Sequence, residues 1–576
     1  MKKVFIKSFA LLWMISCAGT AAQTREVRLK IVETSDIHGN FYPYDFKSGA
    51  DCAGSLARVH AFLQKKRAIY GDRLIYMDNG DVLQGQPTAY YYNFMDTIHT
   101  HLAADMLNYM QCDVGNMGNH DVEAGHAVYD RWIRECGFPV LGANIIDNQT
   151  GKPYLKPYVV LKRDGVKIAV LGMITPLIPT WLPENLWSGL HFEDMVPCAE
   201  KWVKVIHEKE KPDLVIGLFH SGLNSVQGDG PLEDASEEIA RKVPGFDILM
   251  IGHDHRKCCK KVENIQGDSV WIVNPASNGL VVANVDVKLT MKGRKVLRKE
   301  ISGCLSKVEK YGVSEEFMKR FSPQFEAVKS FVSRKIGTFE NTITSEDAYF
   351  GSSAFIDFIH SLQLKLGDAD ISFCAPLSFR ARIEKGDVRV CDMFDLYRYE
   401  NMLYTIRMTG KEIKDYLEMS YALWTNRMTS PDDHIMLLDD TRDDNQRSGF
   451  KNFSFNFDSA AGIQYTVDVT KPKGEKVTIL SMSDGAPFDM DKEYKVAVNS
   501  YRGNGGGELL TKGAGIPAEE LKSRIIKATD KDLRYYMMRY IEQCGTVNIQ
   551  PMNQWKFVPE NWVEPAIVRD RKLLFE

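Results

Sequence analysis

Five short clusters in the first half of this 576-residue chain carry side chains that ligate divalent metals. "TSDIHGN" supplies Asp36 and His38, "DNGD" supplies Asp81, "MGNHD" supplies Asn119 and His120, "LFHSG" supplies His220, and "GHDH" supplies His253 and His255. Five of the thirteen histidines fall in them. Taken singly, each cluster has a plain explanation: a histidine near a strand end is commonly structural, and Asp or Asn beside Gly is commonly a turn. As a set they combine imidazole nitrogens with carboxylate and amide oxygens, the ligand mixture of Zn, Mn, Co or Fe(II). Leaving His120 aside, seven ligand-type residues exceed what one tetrahedral ion needs. They suit two divalent metal ions sharing a carboxylate, an arrangement that activates water and clamps a phosphoryl group. Cys258 and Cys259 follow His255 too closely for all of these groups to reach one ion easily, so a disulfide or buried-thiol role is expected of them.

The elements that must position these clusters are legible from the hydrophobic pattern. "VRLKIVETSD" is a strand ending in polar residues, "SLARVHAFLQKKRAI" has helical spacing, and "RLIYMDNGD" is again a strand. "DLVIGLFHSG" and "FDILMIGHDH" repeat the theme: an apolar strand stops and a polar cluster begins. In an α/β architecture such strand ends converge on one rim, where open sheets place their sites. Alternate residues of an extended strand point the same way, so D-x-H and H-x-H are expected to present both side chains to one side. "VVLKRDGVKIAVLGMIT" reads as a hairpin turning at Asp164-Gly165, which makes the sheet region mixed. Residues 310–335 read as a helical connector broken near Pro323. A second domain starts near Gly337 and opens with the helical "SSAFIDFIHSLQLKL".

The length allows two or three cores, and a formal net charge of -4 gives no global attraction to nucleic acid or membrane surfaces. No nucleic-acid duplex is therefore expected as a partner. Lysines 2, 3 and 7, an apolar run from Ser8 to Ser16 and small residues thereafter have the layout of a secretory signal over residues 1–22. Cleavage after Ala22 predicts an exported, periplasmic or extracellular protein; the alternative is a lipid anchor at Cys17. No later stretch reaches the eighteen or so apolar residues of a transmembrane segment. With Cys17 removed ten cysteines remain, and in an exported chain some are expected to pair.

D-x-H, G-D, G-N-H-D, H-S-G and G-H-x-H, in this order, resemble the metallophosphoesterase superfamily, specifically the secreted 5'-nucleotidase family. The resemblance implies an α/β fold: an N-terminal metallophosphoesterase domain (27–308) with mixed sheets flanked by helices, a helical linker (309–336), and an α+β C-terminal nucleotide-binding domain (337–576). It places Asp36, His38 and His255 on one metal, Asn119, His220 and His253 on the other, and Asp81 between them. The family often has Gln where His255 stands. His120 resembles the catalytic histidine that stabilises charge on the phosphoryl group, with Glu123, or else Asp121, in the place of the carboxylate that orients it. In "FNFDSAAGIQYTVDV" Phe457, five residues before Gly462, matches the first base-stacking aromatic. In "VNSYRGNGGGELL" Tyr501 matches the second, ahead of the Gly-rich turn of Asn504, Gly505 and Gly506. "APLSFRARIEKGDVRVCDMFDLYRYENMLYTIRMTGKEIKDYLEMS" resembles the 2',3'-cyclic-nucleotide 2'-phosphodiesterase/3'-nucleotidase branch. Gly507, where 5'-nucleotidases carry an acidic residue, points the same way. The implied activity is hydrolysis of ribonucleoside 2',3'-cyclic phosphates and 3'-nucleotides, with a small-molecule nucleotide as substrate. A 5'-nucleotidase, a nucleotide-sugar hydrolase and a non-catalytic nucleotide-binding surface protein remain as alternatives.

Overall fold

The computed structural model describes residues 24–225, 230–439 and 449–576. The expected signal sequence and Cys17 lie outside the described residues. The first domain is built on two six-stranded sheets. In one, the order is Lys295–Lys307, Val281–Lys292, Thr24–Thr34, Leu74–Asp78, Val114–Asn116, Val140–Leu141. In the other it is Lys257–Glu263, Ser269–Pro275, Ile248–Ile251, Leu214–His220, Val166–Ile174, Tyr158–Arg163. Both are mixed, with neighbouring parallel strands and an antiparallel hairpin at an edge. Asp164 and Gly165 turn the 158–174 hairpin with φ of 47° and 75°, the left-handed pair that a tight two-residue turn requires.

The sheets face each other through one apolar layer: Val27, Leu29, Ile31, Ile75 and Met77 meet Ile168, Val170, Ile216, Leu218 and Met250. Each such buried side chain contributes roughly 1.5–3 kcal/mol, so the sandwich is a stiff mount for the loops at its rim. The outer face of the first sheet is covered by the helices Leu56–Tyr70, Leu102–Tyr109 and His126–Glu135, that of the second by Met195–Lys209 and Ser236–Lys242. Ser55 accepts the backbone N–H of Arg58 and fixes the start of the first helix.

The connector forms two helices, Glu315–Arg320 and Ser322–Ser333, with Pro323 in the first turn of the second, where its missing N–H is harmless. Phe317, Phe321, Val328 and Val332 lie in the first domain's core, so the connector is part of that domain's packing. The strand Lys335–Phe339 then joins a small sheet with Gly386–Arg389 and Thr546–Val547.

The second domain centres on a five-stranded sheet in the order Ser459–Ala461, Ile371–Cys374, Glu493–Asn499, Met402–Thr409, Ile525–Asp532. Its alternation is strict: Tyr404, Ile406 and Met408 face one core with the helix Gly410–Trp424, while Leu403 faces the other with the helix Ala354–Gly367. A reciprocal cap between Thr409 and Glu412 starts the 410–424 helix.

The expected cysteine pairing is not found: the ten cysteines of the described residues are free thiols. Cys258 and Cys259 are neighbours on one strand and point to opposite faces, Cys258 packing under the helix layer and Cys259 towards Gly303, so they cannot bond to each other. Among the described residues no helix is long and apolar enough to cross a membrane.

Candidate metal centre and interdomain cleft

The parallel strands deliver their polar ends to one rim, as the sequence pattern predicts, but the pleat does not aim the ligands. In the first sheet the strand Thr24–Thr34 ends, and in the second the strand Ile248–Ile251 ends, before the D-x-H and H-x-H residues begin. Asp36, His38, Asp81, His253 and His255 adopt left-handed backbone conformations, with φ of 54°, 50°, 57°, 74° and 54°. Five of the thirteen positive-φ non-glycine residues of the described chain are thus candidate ligands, backbone strain held at one site. The motif glycines let these loops close on one another. A Cβ on Gly118 would lie 2.2 Å from Asp81 Oδ1, and one on Gly252 would lie 2.0 Å from Ser35 Oγ.

The ligand atoms converge. His38 Nε2 lies 2.9 Å from His255 Nε2, which is 3.2 Å from Asp36 Oδ1. His220 Nε2 lies 3.2 Å from Asp81 Oδ2 and 3.1 Å from Asn119 Oδ1, and His253 Nδ1 is 2.8 Å from that same amide oxygen. Asp81 Oδ2 is 4.0 Å from His38 Nε2, while Asp36 Oδ1 is 3.9 Å from both His38 and His220, so two carboxylates stand between the halves of the cluster. Two triplets, Asp36–His38–His255 and Asp36–Asp81–His220, bring their ligand atoms within 4.8 Å of one another.

These residues fit a metal centre on their hydrogen-bond chemistry. His220 donates from Nδ1 to the carbonyl of Asn79 at 2.7 Å, which turns the Nε2 lone pair towards the oxygens of Asp81 and Asn119. In the neutral imidazole acceptor thus faces acceptor, and a proton on Nε2 or a bound cation is needed between them. Asp36 Oδ1 is buried and makes no hydrogen bond, whereas Oδ2 of the same carboxylate accepts the Ser35 hydroxyl and the His253 N–H. Burial and the neighbouring His255 push His38 down to about 3, so its imidazole is neutral as ligation requires. Burial opposes charge on His220 too, but Asp81 and Asp36 outweigh it and push the group up to about 10. That excess of negative charge is what divalent ions would neutralise.

His120 sits beside the cluster, its backbone N–H donated to Asp81 Oδ1 at 2.8 Å and its ring edge-on to His38. Its Nδ1 bonds the carboxylate of Glu123, and burial is outweighed by Asp81 and Glu123, which raise it to about 9. Asp121 is not the orienting group, because it accepts four backbone N–H groups, from Asp81, Val82, Leu83 and Gly118. It ties the Asp81 loop to the Asn119 loop. Two further side chains escaped the sequence reading. Glu233 holds His253 Nε2 at 3.0 Å, and Trp181 stacks on the His253 ring at 5.6 Å.

In the second domain Tyr501 is half-buried and faces Phe455 edge-on at 6.2 Å. Phe457 is elsewhere: fully buried, stacked on Trp424 at 5.6 Å and edge-on to Phe450 at 5.1 Å, it has no free face for a base. The 3-10 turn Ser454–Asn456 breaks the alternation of Phe453, Phe455 and Phe457 and leaves Phe455 partly exposed. Arg502 joins the two segments, bonding Asp458 through Nε and Nη2, Asn456 and the Gly506 carbonyl through Nη1, and the Phe455 carbonyl. Gly505 and Gly506 are buried, Gly505 in the left-handed region and Gly506 under the Tyr501 ring, where a Cβ would lie 2.5 Å from a ring carbon. Asn504 Nδ2 is buried without a hydrogen-bond partner. The domains meet here, with the turn Ile178–Trp181 packed on Ser500–Gly503 and Lys522 paired with Glu184.

Comparison with known proteins matches both halves. Residues 29–257 match the model for calcineurin-like phosphoesterases, and residues 335–512 that for the 5'-nucleotidase C-terminal domain. The chain is 26% identical over 592 residues to the trifunctional nucleotide phosphoesterase protein YfkN of Bacillus subtilis; the match takes in 93% of this chain but 39% of that protein's length. It is 26% identical over 607 residues to a 2',3'-cyclic-nucleotide 2'-phosphodiesterase/3'-nucleotidase of Haemophilus influenzae, covering 93% of this chain and 88% of the relative. Its fold is shared with a putative 5'-nucleotidase of Staphylococcus aureus, with a TM-score of 0.76 at 21% identity over 92% of this chain and 100% of the other.

Proposed function

The chain belongs to the 5'-nucleotidase family of metallophosphoesterases, and on that premise we propose that it is an exported, periplasmic hydrolase that opens ribonucleoside 2',3'-cyclic phosphates and then removes the 3'-phosphate. The observation that carries the reading is the convergence of His38, His220, His253 and His255 on the oxygens of Asp36, Asp81 and Asn119. Asp36, His38 and His255 would hold one divalent ion and Asn119, His220 and His253 a second, with Asp81 between. Bound there, the ions would supply Lewis acidity for activating water and for neutralising the phosphoryl oxygens.

The chain's own groups do the rest. His120, its Nδ1 engaged by Glu123, is left with Nε2 to donate to a phosphoryl oxygen as negative charge develops. Phe455 and Tyr501 hold the base, and because every base has a π-face this recognition is broad, at roughly 1–3 kcal/mol per stacked base. Gly507 supports the cyclic and 3'-nucleotide preference. A Cβ there would fall 2.1 Å from Asn456 Oδ1 and 2.2 Å from Arg502 Nη1, so the acidic side chain of 5'-nucleotidases has no room. The test is a substrate panel with the metal-loaded enzyme. Phosphate release from 3'-AMP and turnover of 2',3'-cyclic AMP should exceed release from 5'-AMP at least tenfold in kcat/KM. A preference for 5'-AMP would overturn the reading.

A further inference from the structure

A carboxylate from the second domain reaches the back of the His120–Glu123 pair. Glu400 stands in the loop between the helix Val390–Leu396 and the strand Met402–Thr409, and its side chain is only 10% exposed. It shares one narrow interdomain crevice with Gln84, His120, Glu123 and Ala124 of the first domain. Its Oε1 accepts Arg534 Nη1 at 2.7 Å, whereas Oε2 is buried and has no hydrogen-bond partner. Arg534 is itself fully buried, its Nε and Nη2 donating to the carbonyls of Tyr397 and Arg398 at 3.1 and 2.7 Å. The guanidinium lies 4.1 Å from the ring centre of Phe394 in its own domain and 5.2 Å from that of Tyr90 in the first.

A buried ion pair is a poor source of stability, since desolvation offsets most of its attraction, and its best-attested use is to set register between packed parts. Both partners belong to the second domain, and the pair meets the first through Tyr90 and through the crevice that holds His120 and Glu123. We infer that Glu400 is a positioning residue that, with the second domain docked, confines Glu123 against His120 and so completes the catalytic pair. Two carboxylates lining one buried crevice repel, because solvent screens them little there. Arg534 holds Glu400 in place, and Glu123 relieves the repulsion by staying on the His120 imidazole. Substrate need not touch Glu400 for this to act.

The inference rests on the phosphoesterase reading but not on the identity of the nucleotide, so it is tested on two substrates: bis(p-nitrophenyl) phosphate, which has no base, and 2',3'-cyclic AMP. Glu400→Gln keeps an acceptor for Arg534 and removes the charge. It should lower kcat about tenfold on both substrates, with KM within twofold and with metal content and melting temperature unaltered. In a double-mutant cycle, adding E400Q to Glu123→Gln should cause less than a further twofold loss, because both act on one element. Wild-type kcat in E400Q, losses that multiply in the double variant, or a rise in KM confined to the nucleotide would each overturn it. If E400Q does not fold, Tyr90→Leu, which removes the first domain's face under Arg534, should give the same loss of kcat, and wild-type turnover there counts against the inference. An enzyme that cleaves the base-free diester but not the cyclic nucleotide would refute the proposed substrate while leaving this test readable.

Discussion

Replacing Phe455 and Phe457 one at a time by alanine separates recognition from packing within three residues of chain. Phe457 is fully buried between Trp424 and Phe450, so its truncation opens a cavity in the second domain's core. Such changes cost about 3–5 kcal/mol. At roughly 2–4 °C per kcal/mol for a domain of this size, its melting transition should fall by about 6–20 °C. Activity per folded molecule at low temperature should stay near wild type. Phe455 is half-buried and edge-on to Tyr501, and its loss removes about 1–3 kcal/mol of base stacking. That is a fall of about 5- to 150-fold in kcat/KM for 2',3'-cyclic AMP, with bis(p-nitrophenyl) phosphate changed less than twofold. Calorimetry on both variants and steady-state kinetics on both substrates supply the four numbers. If Phe457→Ala lost nucleotide turnover without a drop in melting temperature while Phe455→Ala did the reverse, the assignment of the base platform would be wrong.

Three further outcomes follow from single residues. Asp121→Asn sets an amide NH2 against two of the four backbone donors that the carboxylate accepts, so it should destabilise the first domain by about 2–3 kcal/mol and weaken metal retention, measured by metal analysis after dialysis. Gly507→Asp meets Asn456 and Arg502 at a φ of 70°, and should lose turnover of 2',3'-cyclic AMP and 5'-AMP alike, where a gain of 5'-AMP hydrolysis would refute the steric account. His360 is held neutral by burial, its pKa lowered to about 3, between the hydroxyls of Ser372 and Ser459. The unfolded chain, titrating near 6.5, takes up a proton that the folded chain refuses, so the stability present above pH 6.5 is lost as pH falls towards 3. At pH 5 the loss is about 2 kcal/mol, and His360→Gln should remove that part of the pH dependence of unfolding in urea.

What the sequence made legible was the set of strand ends. Each apolar run stops where the rim begins, and the ligand types stand out against that boundary, as at Phe219–His220 and Ile251–His253. The local conformation was hidden, because nothing in D-x-H says that the strand ends before it and that Asp36 and His38 turn left-handed. Choices between chemically equal neighbours were hidden as well. Asp121 and Glu123 are both carboxylates near His120, and only the amides of residues 81–83, brought in by the fold, claim the first. Phe455 and Phe457 share one alternation, and a single 3-10 turn decides which meets Tyr501. Glu233 and Glu400 carry no motif, and their roles exist only across the tertiary contacts that place them beside His253 and His120.

Two-metal hydrolysis is the claim on which the account turns, and counting ions against turnover tests it most directly. The chain is stripped of metal and titrated with Zn, Mn or Co while bound ion and hydrolysis of bis(p-nitrophenyl) phosphate are measured on the same samples. Two ions per chain should bind, with turnover rising only as the second site fills. Asp81→Asn, which weakens the carboxylate standing 3.2 Å from His220 and 4.0 Å from His38, should bind at most one and lose at least a hundredfold in kcat. Full turnover with a single ion bound, or an Asp81→Asn enzyme that keeps wild-type turnover, would contradict the account.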